Sequence, residues 1–94
     1  MVEAVTGKPY LESRNGNTII RKFSVNTPVG DLVWHRDEHS RKVRVLEGDG
    51  WQFQFDNELP QPLVPGQIIL VPREVYHRVL LGYTDLILEI TESN

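Results

Sequence analysis

Cysteine is absent from this 94-residue sequence, which excludes disulfides, thiolate metal sites and a cysteine nucleophile together. Long apolar runs are missing too: Ile68–Val71 is among the longest, far short of the roughly 20 residues that a membrane helix needs. The opening residues Met-Val-Glu-Ala carry neither the basic start nor the apolar stretch of a secretory signal, so a cytoplasmic setting without membrane contact is expected. Positive charge is in short supply. A net charge of −3 and a pI near 5.5 argue against a nucleic-acid partner, which wants a basic face. The basic clusters Arg21-Lys22 and Arg41-Lys42-Val43-Arg44 read as ordinary strand residues, because part of each alternates with apolar positions. Helical periodicity is lacking as well: no stretch of ten or more residues shows it with caps.

What is present is a globular composition, 39% apolar and 24% charged, in a chain long enough for one domain. A domain of this size buries roughly 60–65% of its unfolded surface, so the core is thin and a homodimer is expected to relieve it. Period-two alternation punctuated by Gly, Pro, Asn and Asp predicts strands over 18–25, 31–36, 41–47, 50–55, 67–71, 75–81 and 84–91. Residues 1–16 are less regular and form an arm or an outer strand, leaving 17–94 as the barrel domain. Glu47-Gly48-Asp49-Gly50 reads as a hairpin, Asp56-Asn57 as a turn, and Gly82 as the closure of a last hairpin. Pro60, Pro62 and Pro65 mark a stiff connector that has no place in a central strand. Many short strands without helices predict a sandwich or a closed barrel, and closure best removes exposed edges.

Strand parity then selects the inward side chains, since residues two apart share a face. His35 and Asp37 share parity with Val33; Arg41 shares it with Val43 and Val45; His77 shares it with Val75, Val79 and Leu81. Each has a plain reading as a satisfied core or snorkelling residue, but together they place four polar groups on faces that are otherwise apolar. Trp34, Trp51, Phe53, Phe55 and Tyr76 line a ligand pocket or pack the core, and Trp51, Phe53 and Tyr76 join Arg41 as candidate ligand contacts.

This pattern resembles the cupin family. The family's first motif runs glycine, spacer, His-x-His, Glu and Gly; here Gly30, His35, Asp37, Arg41 and Gly48 stand in that order. Its second motif runs Gly, Pro, Gly, His and Asn; here Gly66, Pro72, Glu74, His77 and Leu81 occupy those places. The resemblance implies an all-β, jelly-roll barrel (a double-stranded β-helix) whose metal ligands map onto His35, Asp37, Arg41 and His77. Aspartate can replace the second histidine, because a carboxylate oxygen binds divalent metals well. Arginine cannot replace the glutamate, because guanidinium has no lone pair to give. Similarity to the 2-oxoglutarate oxygenases is poorer, since Ile87 stands where their arginine is expected.

Three readings of the pocket follow. In the first, His35, Asp37 and His77 hold Fe, Mn, Ni or Zn as a 2-His-1-carboxylate triad, with His39 or Glu38 as substitutes for Asp37. In the second, Arg41 pairs with Asp37 and fills the site without metal. In the third, an anionic ligand sits between Arg41 and the metal and takes a bidentate hydrogen bond. Three functions are open: a metal-dependent isomerase, epimerase or dioxygenase on a small polar or anionic molecule, a non-catalytic module binding a sugar or small acid with Arg41 as its anchor, and an inert structural barrel.

Overall fold

The computed structural model describes residues 3–4 and 8–93. Among them no helix is long and apolar enough to cross a membrane. The strands are β1 (Glu3–Ala4), β2 (Tyr10–Asn15), β3 (Thr18–Phe23), β4 (Ser40–Glu47), β5 (Gln52–Phe55), β6 (Gln61–Pro62), β7 (Ile68–Val71), β8 (His77–Leu80) and β9 (Leu86–Ser93). They form two antiparallel sheets, one ordered β1-β2-β3-β9-β4-β7 and one ordered β6-β5-β8. Alternation in the sequence becomes alternation in burial. In β3, Ile19, Arg21 and Phe23 turn inward; in β4, Val43 and Val45; in β9, Leu86, Leu88 and Ile90. These side chains join Ile69 and Val71 from β7 of the same sheet and Phe53 and Val79 from the small sheet in one continuous core.

Three local expectations need correction. Residues 31–36 are not a strand: Pro28, with φ fixed at −59°, leads into a single 3-10 turn over Val29–Asp31. Only His35 keeps an extended partner there, through an isolated antiparallel bridge to His77. The segment is anchored by that bridge and by the buried Leu32, while Val33 and Trp34 are exposed. Glu47–Gly50 does not close a hairpin, because β4 belongs to the large sheet and β5 to the small one. For the same reason Gly82 closes no hairpin between β8 and β9.

Both crossovers lie side by side and seal one end of the barrel. Asp49 accepts a hydrogen bond from the Tyr83 amide at 2.8 Å and donates its own amide to Thr84 Oγ1 at 3.0 Å. Trp51 lies beneath them, 1% exposed, and its indole N–H donates to the Thr84 carbonyl at 2.6 Å. The Pro-rich connector behaves as its composition demands, contributing only the two-residue edge strand β6. β2 pairs along its whole length with β3, so Tyr10 and Glu12 stand beside Phe23 and Arg21.

The sealed end has no room for one more methyl group. A Cβ at Gly82 would lie 2.3 Å from Trp51 Cδ1 and 2.5 Å from both the Asp49 carbonyl oxygen and the Trp51 nitrogen. Two of these neighbours are backbone, so they cannot swing aside. Gly82→Ala is therefore expected to cost about 1–3 kcal/mol of stability. Urea denaturation followed by tryptophan fluorescence measures it; an unchanged midpoint would show that the two crossovers can part without loss.

Candidate metal and ligand site

The opposite end of β4 carries the polar cluster. His35 and His77 exchange both backbone hydrogen bonds, at 3.0 and 2.9 Å, which sets the two residues directly across from one another. Their rings follow, with centroids 4.3 Å apart in an edge-on arrangement. Each ring is oriented in the same way: Nδ1 of His35 lies 3.2 Å from the Val33 carbonyl, and Nδ1 of His77 lies 2.9 Å from the Val75 carbonyl. A carbonyl can only accept, so it fixes the proton on Nδ1 and leaves Nε2 of the neutral ring as a lone-pair donor. Phe53 stacks on His77 at 5.5 Å and backs it from the neighbouring strand β5.

Asp37 completes the group. His35, Asp37 and His77 each offer one ligand atom, and these atoms lie within 4.8 Å of one another. The Asp37 backbone is held by the Glu74 amide, which donates to the Asp37 carbonyl at 2.8 Å. Glu74 occupies the place of the motif's second glycine and adopts a φ of 64°, the left-handed conformation that glycine favours. The demand for that conformation thus survives the change of residue.

The two carboxylate oxygens of Asp37 have different fates. Oδ1 pairs with Arg41 Nη1 at 3.1 Å. Oδ2 is shut off from solvent and is the one such side-chain atom among the described residues without a hydrogen-bond partner. Nε2 of His77 lies 3.4 Å from it, at the long limit of a hydrogen bond. Two lone pairs facing each other across that gap require a positive charge between them, either a proton or a metal ion. The donor set suits a divalent metal: two imidazole nitrogens with fixed tautomers and one free carboxylate oxygen.

Arg41 does not occupy this space. Its Nε and Nη2 both donate to Oε2 of Glu92, at 3.1 and 2.7 Å, across the β4–β9 pair. Arg14 donates to the other Glu92 oxygen at 2.9 Å. Each of the three Arg41 nitrogens thus has a carboxylate contact, while the side chain still lines the cavity. His39 and Glu38 are exposed and stand outside the cluster, because the chain bends between Asp37 and β4. Trp51 is sealed in the far end of the barrel, and Tyr76 is 43% exposed with Arg36 over its ring, so neither lines the cavity. Phe53 and Arg41 do, in a cavity of about 150 Å³ that also takes in His35, Asp37 and His77. Glu92 is legible in principle: it continues the inward parity of Leu86, Leu88 and Ile90, one residue beyond the predicted strand end.

Electrostatics favour ionised carboxylates and a neutral His35. Burial alone would push the Asp37 carboxyl up, but a proton held between it and His77, together with the Arg41 charge, outweighs burial and holds it below the usual range. Arg41 and Arg14 hold Glu92 low. Burial, reinforced by His77, lowers His35. Groups with lowered folded values bind fewer protons in the native state than in the unfolded chain, so stability falls as pH drops. For His35 the loss starts below the unfolded value of about 6.5; for the carboxylates it starts below about 4 and completes through their lowered folded values. Glu92→Gln should flatten the acidic part of a urea midpoint–pH profile and leave the part between about pH 7 and 5 intact. A profile unchanged below about pH 4 would remove Glu92 from the network.

No family model matches the sequence, and no curated protein is similar to it in sequence. Solved structures are similar in fold. An RmlC-like cupin from Shewanella frigidimarina NCIMB 400 superposes with a TM-score of 0.70 at 24% identity, over 99% of this chain and 82% of that one. Drosophila melanogaster CENP-C, solved bound to CAL1, gives 0.73 at 15% identity over 99% and 80%. Fe(II) HppE gives 0.67 at 15% identity over 89% of this chain and 48% of that one. The antiparallel sheets agree with these neighbours in fold, and the chain has the cupin jelly-roll fold.

Proposed function

We propose that this chain is a metal-dependent enzyme of the isomerase, epimerase or dioxygenase type, acting on a small polar or anionic molecule, with His35, Asp37 and His77 as the metal ligands. The observation that carries the reading is Asp37 Oδ2, a carboxylate oxygen closed off from water and unpartnered, beside two Nε2 atoms whose tautomers are fixed by backbone carbonyls. A divalent ion bound there would act as a Lewis acid toward a ligand oxygen. The chain's own residues do the rest. The carbonyls of Val33 and Val75 aim the imidazoles, Arg41 orients Asp37 through Oδ1, and Glu92 neutralises Arg41. The apolar wall, with Phe53, flanks the cluster. HppE, an Fe(II) protein of similar fold, supports the reading.

A second reading rests on the Arg41–Asp37 contact at 3.1 Å. Here His77 keeps a proton that it shares with Asp37 Oδ2, no metal binds, and the barrel is a non-catalytic module for a sugar or small acid. CENP-C, a protein of similar fold solved bound to CAL1, supports a binding role for such a barrel.

Elemental analysis of protein purified without chelator separates the two. The enzyme reading expects near-stoichiometric metal, lost in both His35→Ala and His77→Ala. It also expects metal to stabilise the native state by about 2.7 kcal/mol at a concentration roughly 100-fold above Kd, read as a shift in urea midpoint. Protein that stays metal-free after incubation with Mn²⁺ or Ni²⁺ overturns it and favours the binding module.

A further inference from the structure

The barrel interior holds a second charged group that the proposed metal centre does not use. Arg21 sits on the inward face of β3 between Ile19 and Phe23 and is only 7% exposed. A charge in that position is costly unless it is paired. Its Nε and Nη2 both donate to a single oxygen, Oε2 of Glu12, at 3.0 and 2.6 Å, from the directly opposed position on β2. The Tyr10 ring lies 3.9 Å from the guanidinium carbon and fixes its plane. The third nitrogen, Nη1, has no hydrogen-bond partner among the described residues. The Arg21 side chain keeps 9% of its surface accessible, and Arg21 and Tyr10 both line the cavity.

The contrast with Arg41 is chemical. Arg41 spends all three nitrogens on Glu92 and Asp37, whereas Arg21 keeps one N–H₂ group in reserve. Between Arg21 and the His–Asp–His cluster the wall is aliphatic, built from Val43, Val71, Val79, Leu88 and Ile90. An apolar cavity of about 150 Å³ is the size that accommodates a benzene ring, which bounds the occupant at roughly six to eight heavy atoms.

We propose that Arg21, positioned by Tyr10 and Glu12, is an anion-recognition subsite of this cavity, and that the ligand is a compact monocarboxylic acid with an aliphatic or aromatic body. The inference rests on the reading of the cavity as a ligand pocket but needs no metal in it. Because Glu12 already balances the charge of Arg21, selectivity comes from the directed N–H donors rather than from a net positive field.

The test uses metal-free protein, prepared with chelator and desalted, titrated with 3-methylbutanoate and, separately, with its neutral isostere 3-methylbutanamide. Amide chemical shifts in β3 and β8 report binding. The acid should bind saturably and about 10- to 100-fold more tightly than the amide, the worth of a hydrogen bond to a charged group. In the charge-neutral double variant Arg21→Gln/Glu12→Gln the preference should vanish while metal content, measured on untreated protein, stays at the wild-type level. Equal binding of acid and amide, no saturable binding of the acid, or a preference that survives the double variant each overturn the proposal. Should that variant not fold, the wild-type comparison decides alone. Failure of the metal reading leaves these titrations unaffected, and failure here leaves the metal analysis unaffected.

Discussion

The reciprocal backbone bridge between His35 and His77 is the constraint on which the rest of the site depends. It is the point at which the irregular segment after Pro28 is tied to the small sheet, and it requires no side-chain chemistry. Antiparallel partners of this kind stand close enough for their side chains to touch, so ring contact follows from the pairing itself. Once the rings are adjacent, Asp37, two residues beyond His35, reaches both His77 and the large sheet. The cluster is therefore built around that one pairing.

The large sheet contributes charge balance. Arg41 and Glu92 face each other across β4 and β9, and Arg14 joins from β2. A lone guanidinium beside a cation site in a low-dielectric cavity would oppose metal binding strongly. Here the Arg41 charge is met first by Glu92, with the shorter contact at 2.7 Å, and Asp37 shares only the remaining nitrogen at 3.1 Å. An arginine at the position of a ligand is thus compatible with the neighbouring carboxylate keeping one oxygen open. It acts as a support for Asp37.

The fold and the polar cluster are legible in the sequence because both follow from period-two alternation. Arg41, Val43 and Val45 keep the face that parity assigns, as do His77 and Val79. Parity misleads at His35. Its sequence neighbour on that parity, Val33, is 60% exposed, and the ring reaches the interior through a bridge that depends on distant His77. The crossovers at Gly48–Gly50 and Gly82 resemble hairpins because local glycine content does not distinguish a reversal from a change of sheet. The buried Trp51 between them decides, and that is a tertiary fact. Arg21 has the look of a surface residue beside Lys22, although it shares parity with Ile19 and Phe23. Glu92 lies just past the end that alternation predicts for its strand.

The orienting contacts of both imidazoles come from main-chain carbonyls, those of Val33 and Val75. In many metal proteins that second layer is built of carboxylates, whose identity leaves a trace in the sequence. Here it leaves none. Residues 33 and 75 are free to drift among side chains that preserve the local backbone, and the tautomers of His35 and His77 will not register the change. Two relatives with unlike residues around the histidines can therefore present the same pair of lone pairs to whatever occupies the barrel, and only the path of the chain will reveal it.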